Sequence, residues 1–347
     1  NLNNIFYLMD QTHTVIDFDK ELSKGAYNAI VVCLRLKPEE RITIITDNES
    51  LEIASSLVAE VKKVGSECSL MVIEDYASRP LKNMPQQILD DLAKSQVSIF
   101  CAIAHTGELR SRIDMTEVVD KHKIRHGHMV NINKQIMLEG MCADFIKVDE
   151  LSQKLIDKAR KANTITVRNA AGTDMVGEFS QSLKWLKTSG IISVEKWGNL
   201  PGGEIFTSPY NVNGVFVVDG VVGDYLCQKY GDLKDTPLSI WIKDSRITKM
   251  ECLNKELLEE FTAYTMTDEN SNRVGEFAIG TNVACKYVIG HILQDEKLPT
   301  VHIAFGHPYS AHTGADWQST THIDCVSVEC SIWLDDEQVM DNGKFLI

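Results

Sequence analysis

Histidines concentrate in one short stretch of the chain. Four of the ten lie between residues 302 and 322, where an even spread over 347 residues would place fewer than one. The last of them, His322, stands two positions before Asp324. On an extended strand these two side chains point to the same face, so the pair could hold one metal ion or link two. Taken alone, the pair is explained more simply as a solvated strand face.

Two Gly-Glu pairs could supply further anionic ligands. Glu204 follows Gly203 and Glu276 follows Gly275, and each glutamate precedes apolar residues. Glycine lets the backbone approach a ligand closely at such a point, although an isolated glutamate there is more often a turn or cap residue. Together with the histidine stretch, the pairs give three carboxylates and two imidazoles. That donor set suits two divalent cations, because carboxylates can bridge two ions and offset their charge. Its members are Glu204, Glu276, His302, His322 and Asp324.

The segment between His302 and His322 carries further polar side chains. His307 and His312 could orient metal ligands through hydrogen bonds, but exposed loop positions explain them more simply. Tyr309 follows Pro308 and by itself would be a packed tyrosine. These three residues are therefore secondary candidates.

Alternating strands and helices precede these residues. The apolar runs RITIITD (41–47), SLMVIED (69–75) and VSIFCAIA (97–104) have few polar interruptions, and helical patterns follow the first two. Such strands are typical of a parallel sheet covered on both faces, so residues 1–150 are predicted to form a doubly wound α/β domain. Neither a Gly-x-Gly-x-x-Gly turn nor a phosphate-binding loop occurs in the sequence, so we assign this domain no cofactor.

The second half of the chain has a different pattern of predicted secondary structure. Strand patterns with turn signals, including GVFVVDGVVGD and LSIWIKDSRITKM, predict a β-rich α+β domain over residues 151–347. All the candidate ligands fall in it, so it is the expected metal-binding domain. The helical stretch at 154–162 is the best boundary between the two domains.

Composition narrows the possible partners and location. A formal charge of -14 and a pI near 5.2 argue against nucleic-acid binding, which depends on clustered Lys and Arg. Nine scattered cysteines without a Cys-x-x-Cys pair indicate a reducing compartment. The first residues do not resemble a signal peptide, and no segment has 18 uninterrupted apolar residues. We therefore expect a soluble, cytoplasmic protein with neither nucleic-acid nor membrane partners.

Four segments between about 190 and 330 resemble, in order, the motifs of the aminopeptidase T family, which includes the aminopeptidase S type. They are NLPGGEIFTSP, GEFAIGTN, HIAFG followed by Tyr309, and STTHIDCV. The resemblance implies that two divalent ions, such as zinc, cobalt or magnesium, are held by Glu204, Glu276, His302, His322 and Asp324. It also implies that N-terminal residues are removed from short peptides. The chain is shorter than usual members between His302 and His322, which bears on substrate preference and oligomer contacts.

Roles follow from this resemblance as hypotheses. One ion would activate a water while the other polarises the scissile carbonyl. Glu276 and Asp324 are our candidates for bridges between the ions. Tyr309 matches the family's active-site tyrosine and could donate to the developing oxyanion. We also expect a homodimer.

A second resemblance leads to a different chemistry. The 2,5-dihydroxypyridine dioxygenases resemble the same fold and share a His-x-Asp tail, and they use one non-haem iron held by two histidines and one aspartate. Those enzymes have a histidine where this chain has Glu276, and they lack the equivalents of Glu204 and His302. The peptidase is therefore the preferred hypothesis, and the dioxygenase is the alternative. A scaffold that binds metal without catalysis is a third possibility.

Overall fold

The computed structural model describes residues 15–223 and 225–347. It contains parallel and antiparallel sheets, which confirms the predicted α/β class. The α-helices are α1 Ser23–Tyr27, α2 Leu51–Val64, α3 Gln86–Leu92, α4 Leu109–His122, α5 Lys134–Leu138, α6 Phe145–Ala159, α7 Tyr225–Tyr230, α8 Lys255–Tyr264, α9 Ile292–Asp295 and α10 Ser310–Thr313. Single turns of 3-10 helix lie at Lys20–Leu22, Ile73–Asp75 and Gly140–Cys142, and a π-helical segment at Asn28–Cys33.

The strands are β1 Arg41–Thr46, β2 Glu67–Val72, β3 Val97–Cys101, β4 Arg125–His128, β5 Thr164–Arg168, β6 Asp174–Glu178, β7 Leu186–Lys187, β8 Gly198–Asn199, β9 Glu204–Thr207, β10 Asn211–Val218, β11 Leu238–Lys243, β12 Arg246–Glu251, β13 Val274–Gly280, β14 Val301–Gly306, β15 His322–Ser327, β16 Ser331–Leu334, β17 Glu337–Asp341 and β18 Lys344–Phe345. Strand pairing is parallel in the sheet that contains β1 to β4 and antiparallel in the other two sheets. In the described residues, no helix has the length and apolar character needed to span a bilayer.

The chain divides into two compact units. Among the described residues, the first contains 15–142 together with 192–200, and the second contains 143–191 and the rest of the chain from 201 onward. The helix expected at the domain boundary is the C-terminal part of α6 and belongs wholly to the second unit. The segment 192–200 returns to the first unit, where β8 pairs in parallel with β4.

A five-stranded parallel sheet organises the first unit, in the order β2-β1-β3-β4-β8. Its middle strands β1 and β3 are buried almost throughout, which explains their uninterrupted apolar sequences. Ile45 and Phe100 share a core with Ile88 of α3 and Met115 of α4. The predicted α/β architecture is thus present over this part of the chain.

Arg79 fills the crevice at the carboxyl ends of β1 and β3, where sheets of this type commonly bind ligands. Its guanidinium donates to Asp47 at 2.9 Å and to the carbonyl of Ile103 at 2.5 Å, and it also pairs with Glu108. Asp47 in turn accepts the Ile103 N–H at 2.7 Å. A buried ionic network of the protein itself therefore closes this position.

Two antiparallel sheets form the second unit. The larger has the order β12-β11-β10-β6-β5-β16-β17-β18, and the smaller has the order β15-β14-β13-β9-β7. Their apolar faces share one core, to which Phe216 of the larger sheet and Phe277, Ile303 and Phe305 of the smaller sheet contribute. Phe261 of α8 lies in the same core. The opposite face of the smaller sheet is left for polar side chains.

Candidate metal centre

Alternation along β13 separates core residues from candidate ligands. Phe277 and Ile279 belong to the hydrophobic core. Because successive side chains of a strand point to opposite faces, Glu276, Ala278 and Gly280 lie on the other face. The sequence GEFAIG thus encodes an apolar face and a face of one acidic and two small residues.

Strand register gathers the other ligands on the same face. Residues paired directly across antiparallel strands share a face. These pairs are Gly280 with Glu204, Ala278 with His302, Glu276 with Ala304, Ala304 with Asp324, and Gly306 with His322. Each predicted ligand therefore has an alanine or a glycine on one side, while His302 also pairs with Val326 of β15. Small neighbours leave room for ions between the ligand side chains.

The two Gly-Glu glycines are required by close packing next to the ligands. Gly203 has φ of +126°, and a Cβ there would lie 2.7 Å from the Asn282 side chain. A Cβ on Gly275 would lie 2.1 Å from the carbonyl oxygen of Gly306. The glycines admit neighbouring protein, rather than a bound ligand as the sequence suggested, and so fix the strand ends that carry Glu204 and Glu276.

All five predicted ligands come together. His302 Nε2 lies 3.3 Å from Glu276 Oε1 and 3.5 Å from Glu204 Oε2. His322 Nε2 lies 3.3 Å from Asp324 Oδ1 and 3.7 Å from Glu276 Oε2. Glu276 thus faces one histidine with each of its two oxygens.

The donor atoms form three overlapping groups, each compact enough to hold an ion. They are Glu204, Glu276 and His302; Glu276, His322 and Asp324; and Glu296, His302 and Asp324, with donor atoms in each group within 4.8 Å of one another. Glu276 is shared by the first two groups. Each group contains a single histidine.

Glu296 is a site residue that sequence reasoning missed, and so is its neighbour Lys297. Lys297 is 1% exposed, lies 2.8 Å from Glu204 Oε1 and also contacts Glu296 Oε1. Both residues stand in the charged run DEK at the end of α9, which resembles an ordinary exposed helix end. The run lies only five to seven residues before His302, and this short distance along the chain is the sequence feature that could have identified Glu296 and Lys297 as site residues.

Hydrogen bonds set the orientation of His322. Its Nδ1–H donates to the carbonyl oxygen of His307 at 3.0 Å, which leaves Nε2 directed at the carboxylates. His307 thus supports the site through its backbone, while its ring Nδ1 accepts the Tyr309 N–H at 3.0 Å. His312 is exposed on α10 and belongs to none of the three groups.

Tyr309 packs beside His322. It adopts a left-handed backbone conformation, with φ of +49°, at the start of α10. Its ring centre lies 4.9 Å from that of His322 and 5.8 Å from that of Phe206. Burial and the negative charges of Glu276 and Asp324 raise the pKa of its phenol well above the usual value. Tyr309 is therefore a neutral hydrogen-bond donor near the ligand cluster.

The concentrated negative charge perturbs the site's titration. Burial alone would lower the pKa of both histidines, but the carboxylates around them raise it to about 9 for His302 and about 10 for His322. Burial and neighbouring carboxylates raise the pKa of Glu296 to about 8. Burial would lower the pKa of Lys297, yet Glu204 and Glu296 hold it above its ordinary value. In the absence of metal ions, the negative charge of the carboxylates is therefore balanced by protons on the two histidines and by the ammonium of Lys297.

The fold and donor set define a two-unit α/β protein with a candidate divalent-metal centre. The chain belongs to the family described as 2,5-dihydroxypyridine 5,6-dioxygenase (NicX), whose model matches residues 25–347. A search of curated protein sequences returns no match.

Two solved structures share the fold. One is AmpT, an aminopeptidase T, from Thermus thermophilus, with a TM-score of 0.70 and 16% identity over 94% of this chain and 99% of that one. The other is 2,5-dihydroxypyridine dioxygenase from Pseudomonas putida KT2440, with a TM-score of 0.67 and 13% identity over 93% of this chain and 96% of that one. At these identities the structural likeness supports the fold and does not separate the two chemistries.

Proposed function

We propose that the protein is an aminopeptidase that uses two divalent metal ions to remove N-terminal residues from short peptides. The observation that carries the proposal is the position of Glu276. Its two oxygens face different histidines, so one carboxylate can join an ion held with Glu204 and His302 to an ion held with His322 and Asp324. Carboxylate bridging of this kind is typical of two-metal hydrolytic sites. Zinc, cobalt and magnesium are the candidate ions.

The chain's own residues suit peptide hydrolysis. Bound divalent ions would supply Lewis acidity and make water nucleophilic near neutral pH. Glu204, Glu276 and Asp324 would hold those ions, and Glu276 would fix their spacing. Tyr309 keeps its proton and can donate to the oxygen of a carbonyl under attack. The His307 carbonyl holds the His322 ring in the orientation that points Nε2 toward the carboxylates that would hold the ions.

The family match favours a second candidate function, a ring-cleaving dioxygenase that uses one non-haem iron. That chemistry is supported by two histidines and one carboxylate on a single iron. In this chain each of the three ligand groups has one histidine, and Glu276 occupies the place where the resemblance expects the second. For this reason the hydrolase is the preferred proposal.

Parallel assays on one preparation separate the candidates. Metal-free protein would be loaded with Zn2+, Co2+, Mg2+ or anaerobically with Fe2+. It would then be given aminoacyl-chromophore substrates or 2,5-dihydroxypyridine with O2. We expect chelator-sensitive release of the chromophore. O2-dependent loss of the pyridine ring with iron alone would establish the alternative, and two bound ions without either turnover would favour a metal-binding scaffold.

A homodimer and a cytoplasmic location are further proposals. Sedimentation of the purified protein and fractionation of the source cells test them. A monomer over the micromolar concentration range would contradict the first, and recovery outside the cytoplasm would contradict the second.

A further inference from the structure

Lys297 places a positive charge inside the ligand cluster. Its side chain is 1% exposed, and both of its ion pairs go to carboxylates of the cluster, Glu204 and Glu296. Lysine is rarely buried unless it is paired. The ammonium therefore belongs to the electrostatics of the centre rather than to the protein surface.

Lys297 also restricts how Glu204 can bind an ion. Glu204 Oε1 accepts hydrogen bonds from Lys297 Nζ at 2.8 Å and from the Thr188 hydroxyl at 3.0 Å. The other oxygen, Oε2, lies 3.5 Å from His302 Nε2. Two donors thus occupy one oxygen and leave the other for a cation, so Glu204 is arranged as a single-oxygen ligand.

The two ion positions consequently differ in their surroundings. The group of Glu204, Glu276 and His302 contains a carboxylate that is directly paired with Lys297. In the group of Glu276, His322 and Asp324, Asp324 Oδ1 lies 3.3 Å from His322 Nε2 and 4.0 Å from His302 Nε2, and no lysine or arginine among the described residues pairs with Glu276 or Asp324 within 4.0 Å. The ammonium of Lys297 is thus paired directly with a carboxylate of the first group and with none of the second.

We propose that Lys297 is a positioning residue that makes the two ion positions unequal. The ion held by Glu204, Glu276 and His302 is the weaker and more exchangeable of the two, because it binds next to a fixed positive charge and to a glutamate with one oxygen already engaged. The ion held by Glu276, His322 and Asp324 is the tighter. This inference rests on the two-ion site of the proposed function.

Replacement of Lys297 by methionine tests the inference, because it keeps a long unbranched side chain and removes the charge. Titration of metal-free protein with Zn2+ or Co2+ should give two binding steps in the wild type. Lys297→Met should strengthen the weaker step by at least about tenfold and change the tighter step much less. Lys297→Arg, which keeps the charge, should leave the two steps unequal. Lys158→Met removes an exposed lysine that pairs with Glu337 and should change neither step.

Thermal unfolding provides a readout that does not depend on turnover. Without metal, Lys297→Met removes the buried ammonium that pairs with Glu204 Oε1 and Glu296 Oε1, so its Tm should fall below that of the wild type. Saturation with Zn2+ should close most of this gap. An equal loss of Tm with and without metal, or a weaker step that Lys297→Met weakens or leaves unchanged, would overturn the inference.

A second pair of variants covers the case in which Lys297→Met does not fold. Glu204→Gln should abolish the weaker step and keep the tighter one, whereas Asp324→Asn should impair the tighter one. The reverse pattern would refute the inference. Two equal steps would also refute it and leave the hydrolase proposal standing. A single bound ion would contradict both proposals, and two unequal steps without peptide hydrolysis would contradict the proposed function alone.

Discussion

Glu276 is the residue at which the two candidate chemistries diverge. It is 5% exposed, and its two carboxylate oxygens face His302 and His322, respectively. A bridging carboxylate contributes charge that a neutral side chain of the same shape cannot replace. Its role can therefore be separated from that of a glutamate that merely ends a strand.

Glu276→Gln should lower metal content from two ions per chain to one or none and abolish peptide hydrolysis. The physical reason is that the amide keeps the side-chain volume but loses the charge that balances two cations. Elemental analysis after gel filtration measures the stoichiometry, and circular dichroism verifies the fold. Glu251→Gln, at an exposed strand position paired with Lys249, is the matched control. Unchanged metal content and near-normal activity would remove Glu276 from the centre.

Metal binding should release protons, because both ligand histidines hold protons in the metal-free site. The pKa of His302 is about 9 and that of His322 about 10, so both imidazoles are charged at pH 7.5. Each must become neutral to bind an ion. We expect release of about two protons when both ions bind, with a further fraction from Glu296, whose pKa is about 8. Calorimetric titration with Zn2+ in buffers of different ionisation enthalpy gives the number.

A control for this count is His122→Asn, which changes a histidine at the end of α4 in the other unit. It should leave the proton number unchanged. Binding of two ions with no proton release would show that the imidazoles are neutral before the metal arrives, against the electrostatic description of the site.

At the scale of elements, much of the site was predictable because side chains along a strand alternate between its two faces. Glu204, Glu276, His302, His322 and Asp324 lie on strands whose intervening residues face the core, so their types and spacing carried the signal. Which strands pair, and in which register, follows from contacts between distant residues. The sequence did not contain that pairing in any local pattern.

Other elements could not be predicted from local patterns. Glu296 and Lys297 enter the site from a short helix end whose burial depends on the surrounding strands. The return of residues 192–200 to the first unit rests on the two-residue strand β8, which is too short to have a recognisable periodicity. Conversely, β1 and β3 begin at the first residues of their predicted runs, Arg41 and Val97, because their apolar patterns are long and regular.

Gly275 links the strand pairing of β13 and β14 to the position of Glu276. A Cβ at this position would lie 2.1 Å from the carbonyl oxygen of Gly306, an atom of the backbone that cannot rotate away. Gly275→Ala should therefore displace the strand end and reduce the free energy of unfolding by about 3 kcal/mol. Zinc binding should weaken in the same variant. Urea denaturation and metal titration measure the two effects.

Gly231→Ala is the control for Gly275→Ala, because it tests the cost of a left-handed backbone conformation without a steric clash of the new Cβ. Gly231 has φ of +61°, and a Cβ there would have no neighbour within 4 Å. Its replacement should cost about 1 kcal/mol through the left-handed conformation alone and leave metal binding intact. Equal losses in the two variants would mean that the contact with Gly306 is not what constrains β13.

At the scale of the whole molecule, the two units respond to pH through differently placed histidines. In the first unit, burial lowers the pKa of His126 to about 3, and burial with the charges of His126 and Arg112 lowers that of His128. Ser98 Oγ lies 2.8 Å from His126 Nδ1, and His126 Nε2 lies 3.1 Å from His128 Nδ1. In the second unit, carboxylates raise the pKa of His302 and His322. The metal-free protein thus contains two pairs of histidines with opposite shifts.

The stability of the metal-free protein should consequently fall above about pH 6.5 and change little between pH 5 and 6.5. Below pH 6.5, unfolded His126 and His128 bind protons that the folded first unit excludes, which costs about 1.4 kcal/mol per histidine for each pH unit. Glu296 and Asp295, whose folded pKa values are about 8 and about 6, hold protons that the unfolded carboxyls have lost, and they offset most of that cost. Above that pH, unfolded His302 and His322 lose protons that the folded second unit retains until about pH 9 and 10, so stability falls again. Urea denaturation with a chelator at pH 5, 6.5 and 8.5 measures the profile. His126→Gln removes one of the two histidines that oppose the raised carboxyls, so this variant should become more stable on acidification from pH 6.5 to 5. Saturation with Zn2+ should remove the loss on the alkaline side, since ions replace the two protons. A loss of stability at pH 8.5 that persists with saturating Zn2+ would refute this assignment of the alkaline side to the metal centre.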